Sequence, residues 1–108
     1  MNGTGGLSQP RVLLVEGDAV LAQAYLEFLR DEPCCVSHRS TVAAAIDAIQ
    51  NEPPEVVLLD LLLPDSTGLD VLDFIERNAL PISVIVMTSG DSIDNAVEAM
   101  RAGAFDFL

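Results

Sequence analysis

The sequence has no lysine, and its five basic residues, all arginines, face seventeen acidic residues, for a formal net charge of −12. A surface this acidic repels phosphate backbones, so we expect no binding of nucleic acid by this segment. It would instead attract cations and basic patches on partner proteins. The missing lysine also excludes a P-loop, a motif in which a lysine follows a glycine-rich turn; Gly17 and Gly68 are isolated.

Cysteine and histidine are almost as scarce as lysine. The two cysteines, Cys34 and Cys35, are adjacent, and His38 is the only histidine. Two neighbouring cysteines and one histidine do not make a zinc site. We expect both cysteines to be small buried side chains in a reducing cytosol. We also expect no catalytic triad, because His38 falls on a strand away from the candidate acids described below.

Long apolar runs are absent as well. The longest is interrupted by Asp60 and is too short for a membrane span. Residues 1–10 contain no basic region followed by an apolar core, so we predict a flexible N-terminal lead and not a secretory signal. A cytoplasmic protein without membrane contact is the expectation. With 108 residues, half of them apolar, the chain is predicted to form one globular domain from residue 11 onward.

The most informative segment covers residues 56–65 and reads VVLLDLLLPD. It is an apolar run long enough for a buried strand, and one carboxylate interrupts it. Because an unpaired charge inside such a run is costly to bury, Asp60 is predicted where the strand ends and the chain opens to solvent or a metal. Pro64 and Gly68 then close a loop before the next helix. The structural alternative is that Asp60 serves only as a turn or cap residue.

Predicted strands and helices alternate along the chain. Apolar and β-branched runs indicate strands over residues 11–16, 34–39, 55–60 and 82–87, with a fifth that begins at residue 105. Apolar stripes at helical spacing indicate helices over residues 18–31, 41–51 and 67–78, with a fourth that ends at Gly103. Thr67 and Asp70 resemble a capping box at the start of the third helix. The alternation predicts an α/β fold with a doubly wound, five-stranded parallel sheet in the order 2-1-3-4-5.

That strand order brings the ends of the first and third strands to one cleft. Glu16 and Asp60 end these two strands, and Thr88 ends the fourth. Two acids held close together repel each other, and a hard divalent cation such as Mg²⁺ relieves the repulsion. An aspartate beside that cation can act as a nucleophile and form an aspartyl phosphate. The hydroxyl of Thr88 could then bond the added phosphoryl oxygens.

Four motifs, taken together, resemble the receiver domain of two-component response regulators. They are VLLVE at 12–16, LLD at 58–60 followed by P, D and G at 64, 65 and 68, VMTS at 86–89, and GA at 103–104 with F at 107. The resemblance covers residues 11–108. Further runs are similar to receivers of the sigma-54 activator (NtrC) class: DEP at 31–33, GLDVLD at 68–73, PISVI at 81–85 and GAFDFL at 103–108.

The resemblance implies a flavodoxin-like receiver fold whose fifth strand is cut short and whose C-terminal helix lies beyond the sequence. Asp60 would be the phosphoacceptor, which takes its phosphoryl group from a phosphohistidine on a sensor histidine kinase or a histidine phosphotransferase. Thr88 would be the switch hydroxyl and Phe107 the switch aromatic. The segment that begins at Ser89 and ends at Leu108 would be the signalling surface. The family further implies output domains, an ATPase and a DNA-binding domain, and allows a homodimer.

The same resemblance places Glu16 as the first acid of a Mg²⁺ site, next to Asp60 and the backbone carbonyl of Leu62. Gly17, however, lies where the family supplies a second acid. Asp18, one place later, is a candidate for that role, although the N-cap of the first helix is the more typical role for an aspartate there. The lysine that the family carries on its fifth strand would fall beyond the end of the sequence. These departures keep open an alternative, an atypical or pseudo-receiver that signals through partner binding, with weak metal binding and weak phosphorylation.

An enzyme is the third class of function to weigh. A phosphatase with Asp60 as its nucleophile would need a general acid shortly after it, and Leu62 occupies that place. We therefore expect a signalling domain that is capable only of slow self-phosphotransfer and self-dephosphorylation.

Overall fold

The computed structural model describes residues 9–87. Strands and helices alternate there as β1 (Arg11–Val15), α1 (Ala19–Leu29), β2 (Cys35–Arg39), α2 (Val42–Asn51), β3 (Val56–Leu59), α3 (Leu69–Arg77) and β4 (Ser83–Val86). Every strand and helix predicted in this range is present, shorter than predicted by at most two residues at either end. The predicted fourth helix and fifth strand, Thr88, Phe107 and the signalling surface lie outside the described residues.

The four described strands form one parallel sheet in the order β2-β1-β3-β4, which confirms the predicted order for this part of the chain. Leu14 of β1 pairs with His38 of β2 on one side and with Leu58 of β3 on the other. All four residues of β3 are fully buried. Their continuous burial is what a central parallel strand with helices on both faces requires, and it explains why β3 reads as an unbroken apolar run.

The core has two layers because successive strand residues point to opposite faces of the sheet. On one face, Leu14, Leu58 and Ile85 pack with Ala22 and Leu29 of α1. The opposite face is covered by the buried residues of α2 and α3. These are Val42, Ala45, Ile49, Val71 and Ile75, packed against Leu13, Val15, Val57, Leu59 and Val84. Among residues 9–87, no helix is both long and apolar enough to cross a membrane.

The helix starts agree with the sequence at α1 and differ from it at α3. Asp18 is the N-cap of α1, and its Oδ1 accepts hydrogen bonds from the backbone amides of Val20 and Leu21 at 2.9 and 3.0 Å. The N-cap of α3 is Gly68, which offers no side-chain bond, so the predicted capping box is wrong. Asp70 accepts a hydrogen bond from the Ser66 hydroxyl and not from the backbone of residue 67.

Gly68 explains that difference because its backbone contacts the backbone of Asp60 and Leu61. A Cβ at Gly68 would overlap the backbone carbonyl oxygen of Asp60 and lie 2.9 Å from the Cα of Leu61. The backbone of residue 68 therefore packs directly on the end of β3, and α3 starts one residue later than the motif suggested.

Another prediction, that both cysteines are buried, is wrong. Cys34 is half-buried and Cys35 is exposed, and both are free thiols. Cys35 begins β2, the edge strand of the sheet, where alternate side chains face solvent, and Cys34 directly precedes that strand. Pairing with β2 also begins inside the predicted lead, since the carbonyl of Pro10 accepts a hydrogen bond from the amide of Cys35 at 2.9 Å.

The Gly68 contact leads to a stability prediction. Gly68→Ala should lower the free energy of unfolding by about 2 kcal/mol, the scale of overpacking against a fixed neighbour. The φ angle of Gly68 is −58°, which any residue adopts, so the loss would come from the contact and not from backbone strain. Urea unfolding followed by circular dichroism measures it, with Ser66→Ala in the same loop as the control. A Gly68→Ala midpoint equal to that of the wild type would contradict the packing described here.

Candidate functional site

Asp60 lies at the carboxyl edge of the sheet, directly after β3. Its backbone amide donates to the carbonyl of Val15 at 2.9 Å, which continues the pairing of β3 with β1. Its side chain is half-buried, and Oδ1 accepts a hydrogen bond from the amide of Leu62 at 3.1 Å. One carboxylate oxygen is therefore held by the loop that follows.

Glu16 directly follows β1 and is the buried acid of the site, with 3% of its surface exposed. Its amide donates to the carbonyl of Arg39 at 3.1 Å, and its Oε2 accepts from the amide of Asp18 at 3.1 Å. The pKa of Glu16 is raised to about 7, mainly by burial and also by a hydrogen bond with Asp60 and the negative charge of Asp60, while the hydrogen bond from the Asp18 amide lowers it. The two acids predicted to share a cleft do interact directly.

This acid pair behaves as one titrating unit. The hydrogen bond and the negative charge of Asp60 both favour the protonated form of Glu16, which raises its pKa. Either a shared proton or a hard cation can relieve the repulsion between the two carboxylates. The geometry therefore creates competition between a proton and a divalent cation for the same two side chains.

The carbonyl of Leu62 lies close to Gly17, the residue that follows Glu16. A Cβ built on Gly17 would lie 3.6 Å from the Leu62 carbonyl oxygen and 3.5 Å from that of Ser40. The donors Glu16, Asp60 and the Leu62 carbonyl suit Mg²⁺, which is held in proteins by one or two carboxylates together with waters.

A third carboxylate does not join them. Across residues 9–87 no three side chains of His, Cys, Asp or Glu are grouped closely enough to hold a metal ion. Asp18 is occupied as the cap of α1, with Oδ1 bonded to two amides. Residue 17, where the resemblance predicts a second acid, is also crowded, because a Cβ on Gly17 would lie only 2.9 Å from Cδ of Pro64. A carboxylate at position 17 would therefore require Pro64 to move.

The sequence analysis set His38 aside, and the structure brings it to the site. Its Nε2 lies 2.9 Å from the backbone carbonyl oxygen of Glu16, and the ring is half-buried. The strand of His38 neighbours β1, so the ring crosses only one strand spacing to reach the end of β1. The predicted strand order could have signalled this contact.

Asp65 is a second residue whose role the sequence did not reveal. Its two carboxylate oxygens accept hydrogen bonds from the amides of Val42 and Ala43, at 2.9 and 3.1 Å. These bonds lower the pKa of the Asp65 carboxyl. The loop after the candidate phosphoacceptor is thereby attached to the N-terminus of α2. No local sequence signal marks such a long-range cap.

Tyr25 of α1 provides an optical probe of the site. Burial raises the pKa of its phenol, and the negative charges of Glu16 and Asp60 raise it further. The chain has one tyrosine and no tryptophan. Ultraviolet absorbance and fluorescence therefore report on a single residue that senses the acid pair.

The raised pKa of Glu16 predicts how stability depends on pH. The folded state binds the Glu16 proton more tightly than the unfolded state, so the free energy of unfolding should fall as pH rises from 4.5 to about 7. A carboxyl pKa that is raised from 4.5 to about 7 on folding corresponds to a loss of about 3 kcal/mol in the free energy of unfolding across this pH range. Urea unfolding across this range in metal-free buffer measures the slope.

Glu16→Gln should remove most of that slope, because an amide does not titrate. The exposed Glu76→Gln is the matched control and should keep it. A Glu16→Gln protein with the same pH dependence as the wild type would show that Glu16 is not the group responsible.

Comparison with known proteins agrees with this geometry. Residues 12–108 match the family model described as the response regulator receiver domain. The chain is 41% identical over 95 residues to the regulatory protein LuxO of Vibrio vulnificus, a match that spans 88% of this chain and 21% of LuxO. It is 34% identical over 100 residues to the alginate biosynthesis transcriptional regulatory protein AlgB of Pseudomonas aeruginosa, spanning 93% of this chain and 22% of AlgB.

A solved structure agrees as well. The signal receiver domain of a LuxO repressor protein from Vibrio parahaemolyticus superimposes with a TM-score of 0.73 at 46% sequence identity, over 93% of this chain and 77% of that one. The motif runs of this chain are similar to LuxO in particular, and these matches confirm that resemblance. The chain spans about a fifth of the length of the curated relatives it matches. With its parallel sheet and its acid pair at the strand ends, the chain belongs to the response regulator receiver family.

Proposed function

We propose that this chain accepts a phosphoryl group on Asp60 from a phosphohistidine of a sensor histidine kinase or a histidine phosphotransferase. The observation that carries the proposal is the contact between Asp60, at the end of a fully buried strand, and the buried Glu16. In the transfer, an Asp60 carboxylate oxygen forms a bond to phosphorus as the phosphorus–nitrogen bond of the phosphohistidine breaks, and the imidazole leaves with a proton.

Mg²⁺ is the cofactor that we propose for this transfer. When bound, it neutralises charge on the phosphoryl oxygens and on the two carboxylates. Glu16, Asp60 and the Leu62 carbonyl would hold it, with Asp18 contributing at most through a water. Glu16 stays buried and anchored through the Asp18 amide. The Leu62 amide meanwhile restrains one oxygen of Asp60.

The switch that follows phosphorylation is proposed from sequence motifs alone. Thr88 would bond the phosphoryl oxygens, Phe107 would follow its movement, and the segment from Ser89 to Leu108 would present the changed surface. A local charge that biases a two-state element is the general form of such switches. We infer a signalling role with slow self-phosphotransfer and self-dephosphorylation as its own chemistry.

The wider protein is inferred from the relatives. Because LuxO and AlgB are about five times as long as the segment that each shares with this chain, we propose that residues 1–10 are a lead and residues 11–108 a receiver domain, followed by an ATPase and a DNA-binding domain. Such a protein would control sigma-54-dependent transcription in the cytoplasm, and the family allows a homodimer. The net charge of −12 suits a basic docking patch on a partner protein.

The alternative function is a pseudo-receiver that signals by partner contact without phosphorylation. The observation that favours it is the second-acid position, where Gly17 provides no carboxylate and Pro64 crowds the space. With only two carboxylates and a Glu16 pKa near 7, a proton alone can satisfy the site. Intact Asp60 favours the phosphoacceptor instead.

Asp60 should be the sole site of phosphorylation, because it is the half-buried acid of the pair, whereas Glu16 is buried with 3% of its surface exposed. Incubation with acetyl phosphate and MgCl₂, followed by mass spectrometry of the labile label, should place one phosphoryl group on the wild type and none on Asp60→Asn. The exposed Asp73→Asn is the control for general loss of charge and should be labelled normally. Label on Asp60→Asn at the wild-type level would refute the assignment.

The affinity for Mg²⁺ separates the two functions. Gly17→Asp should tighten Mg²⁺ binding by roughly 1 kcal/mol, the lower end of the range for a charge-assisted contact, because Pro64 must move to admit the side chain. Gly17→Ala is the matched control, since it adds the same Cβ without the carboxylate and should not tighten binding. Calorimetric titration of the three proteins gives the comparison. Equal affinities of wild type and Gly17→Asp would show that position 17 does not limit the metal site.

A further inference from the structure

The loop between β3 and α3 is closed by its own hydrogen bonds. Leu62 and Thr67 pair across it as an antiparallel bridge, and the amide of Gly68 donates to the carbonyl of Leu61 at 2.9 Å. We refer to residues 61–68 as the acceptor loop. Because the two arms of the loop are hydrogen-bonded to each other, we expect a displacement of residues 64–66, at its tip, to displace Leu62 as well.

That tip is bound to α2 through Asp65. Oδ1 of Asp65 accepts from the amide of Val42 and Oδ2 from the amide of Ala43, at 2.9 and 3.1 Å. These are two of the first-turn amides that a helix leaves unpaired. Thr41, the N-cap of α2, takes a third, the amide of Ala44, at 3.1 Å. The amides keep the pKa of Asp65 below its ordinary value, so the ionised carboxylate is the bound form.

The attachment places the acceptor loop against the strand end that carries Glu16. Pro64, next to Asp65, would lie 2.9 Å from a Cβ on Gly17, and the Leu62 carbonyl oxygen would lie 3.6 Å from the same point. In this position the Leu62 amide also holds Oδ1 of Asp60. The loop thus presents one backbone group to Asp60 and another to the space beside Glu16.

We propose that Asp65 is a positioning residue of the phosphoacceptor site. Asp65 holds the acceptor loop on the N-terminus of α2. This contact fixes the position of Leu62 and keeps Pro64 against Gly17. The consequence for Mg²⁺ rests on the proposed function, whereas the mechanical role of Asp65 does not. Asp65 keeps Pro64 against Gly17, so release of the acceptor loop should ease the contact that a new side chain at residue 17 makes with Pro64.

Hydrogen exchange and Mg²⁺ titration of Asp65→Ala and Thr41→Ala test the positioning role. Both substitutions remove a side-chain acceptor from the α2 N-terminus, but only Asp65→Ala releases the loop. Asp65→Ala should speed exchange at the Leu62 amide and weaken binding of MgCl₂, each several-fold, the scale of one or two lost hydrogen bonds. Thr41→Ala should speed exchange at Ala44 and leave the Leu62 amide and Mg²⁺ unchanged.

The outcomes of this experiment are distinct. Equal effects of the two variants on Leu62 would mean that helix stability alone is at work and would overturn the proposal, as would an unchanged Leu62 amide in Asp65→Ala. Asp65→Asn, which keeps one acceptor oxygen, should fall between Asp65→Ala and the wild type, and it replaces Asp65→Ala if that protein does not fold. A wild type that is never phosphorylated would contradict the proposed function, yet the exchange measurement would still decide the role of Asp65.

A double-mutant cycle tests the link between positions 17 and 65. Gly17→Ala should lower the urea midpoint of the wild type because the new Cβ must displace Pro64. In the Asp65→Ala background the loop is free to move, so the same substitution should lower the midpoint by less than half as much. Equal losses in the two backgrounds, or no loss in the wild type, would overturn the proposed link.

Discussion

The repulsion between Glu16 and Asp60 is the constraint on which the rest of this structure depends. Parallel pairing of β1 with β3 aligns Val15 with Leu59, so the acid that follows each strand arrives at the same edge of the sheet. Burial of Glu16 strengthens the repulsion, and together they raise the pKa of Glu16 to about 7. A proton, a hard cation or both must compensate, and each choice alters the charge that a phosphoryl group would meet. The fully buried strands beneath the pair keep the two acids from drifting apart.

The loops around the pair are held by contacts that reach across the fold. The Asp18 amide holds the Glu16 carboxylate, and His38 contacts the Glu16 carbonyl from the neighbouring strand. On the other side, the Leu62 amide restrains Asp60, and Asp65 ties the same loop to α2. The Glu16 carbonyl and the amides of Asp18 and Val42 lie at or beside the ends of strands and helices, where backbone groups have no partner within their own element. The Leu62 amide lies in the acceptor loop. The site is therefore built from the unpaired ends of the secondary structure and from this loop.

Gly17 shows how one substitution changes the electrostatics of such a site. The resemblance to receiver domains predicts a second carboxylate at residue 17, where this chain has a glycine with the ring of Pro64 close against it. Relative to that expectation, the proposed Mg²⁺ site lacks one negative charge and one ligand. This loss makes a lone proton a stronger competitor for the pair, because two carboxylates need only one proton to cease repelling each other. The proposed phosphoacceptor and the alternative pseudo-receiver thus differ in whether Mg²⁺ or a proton compensates the charges of Glu16 and Asp60.

Local sequence determined the features that depend on periodicity and on the cost of burying charge. The apolar run broken by Asp60 was enough to end a strand there, the spacing of apolar residues was enough for three helices, and an aspartate before an apolar stripe was enough to cap α1. Local patterns gave wrong predictions where a contact with a residue distant in sequence, or the position of a strand in the sheet, decided the outcome. Gly68 packs on the Asp60 carbonyl and displaces the capping box, and the edge position of β2 exposes Cys35. The predicted strand order already placed the strand of His38 beside β1. Only the tertiary structure decided that Asp65 caps α2 and that Pro64 occupies the space at Gly17. Each of these contacts joins elements whose relative placement depends on packing of the whole sheet, and a pattern within one element carries no information about that distance.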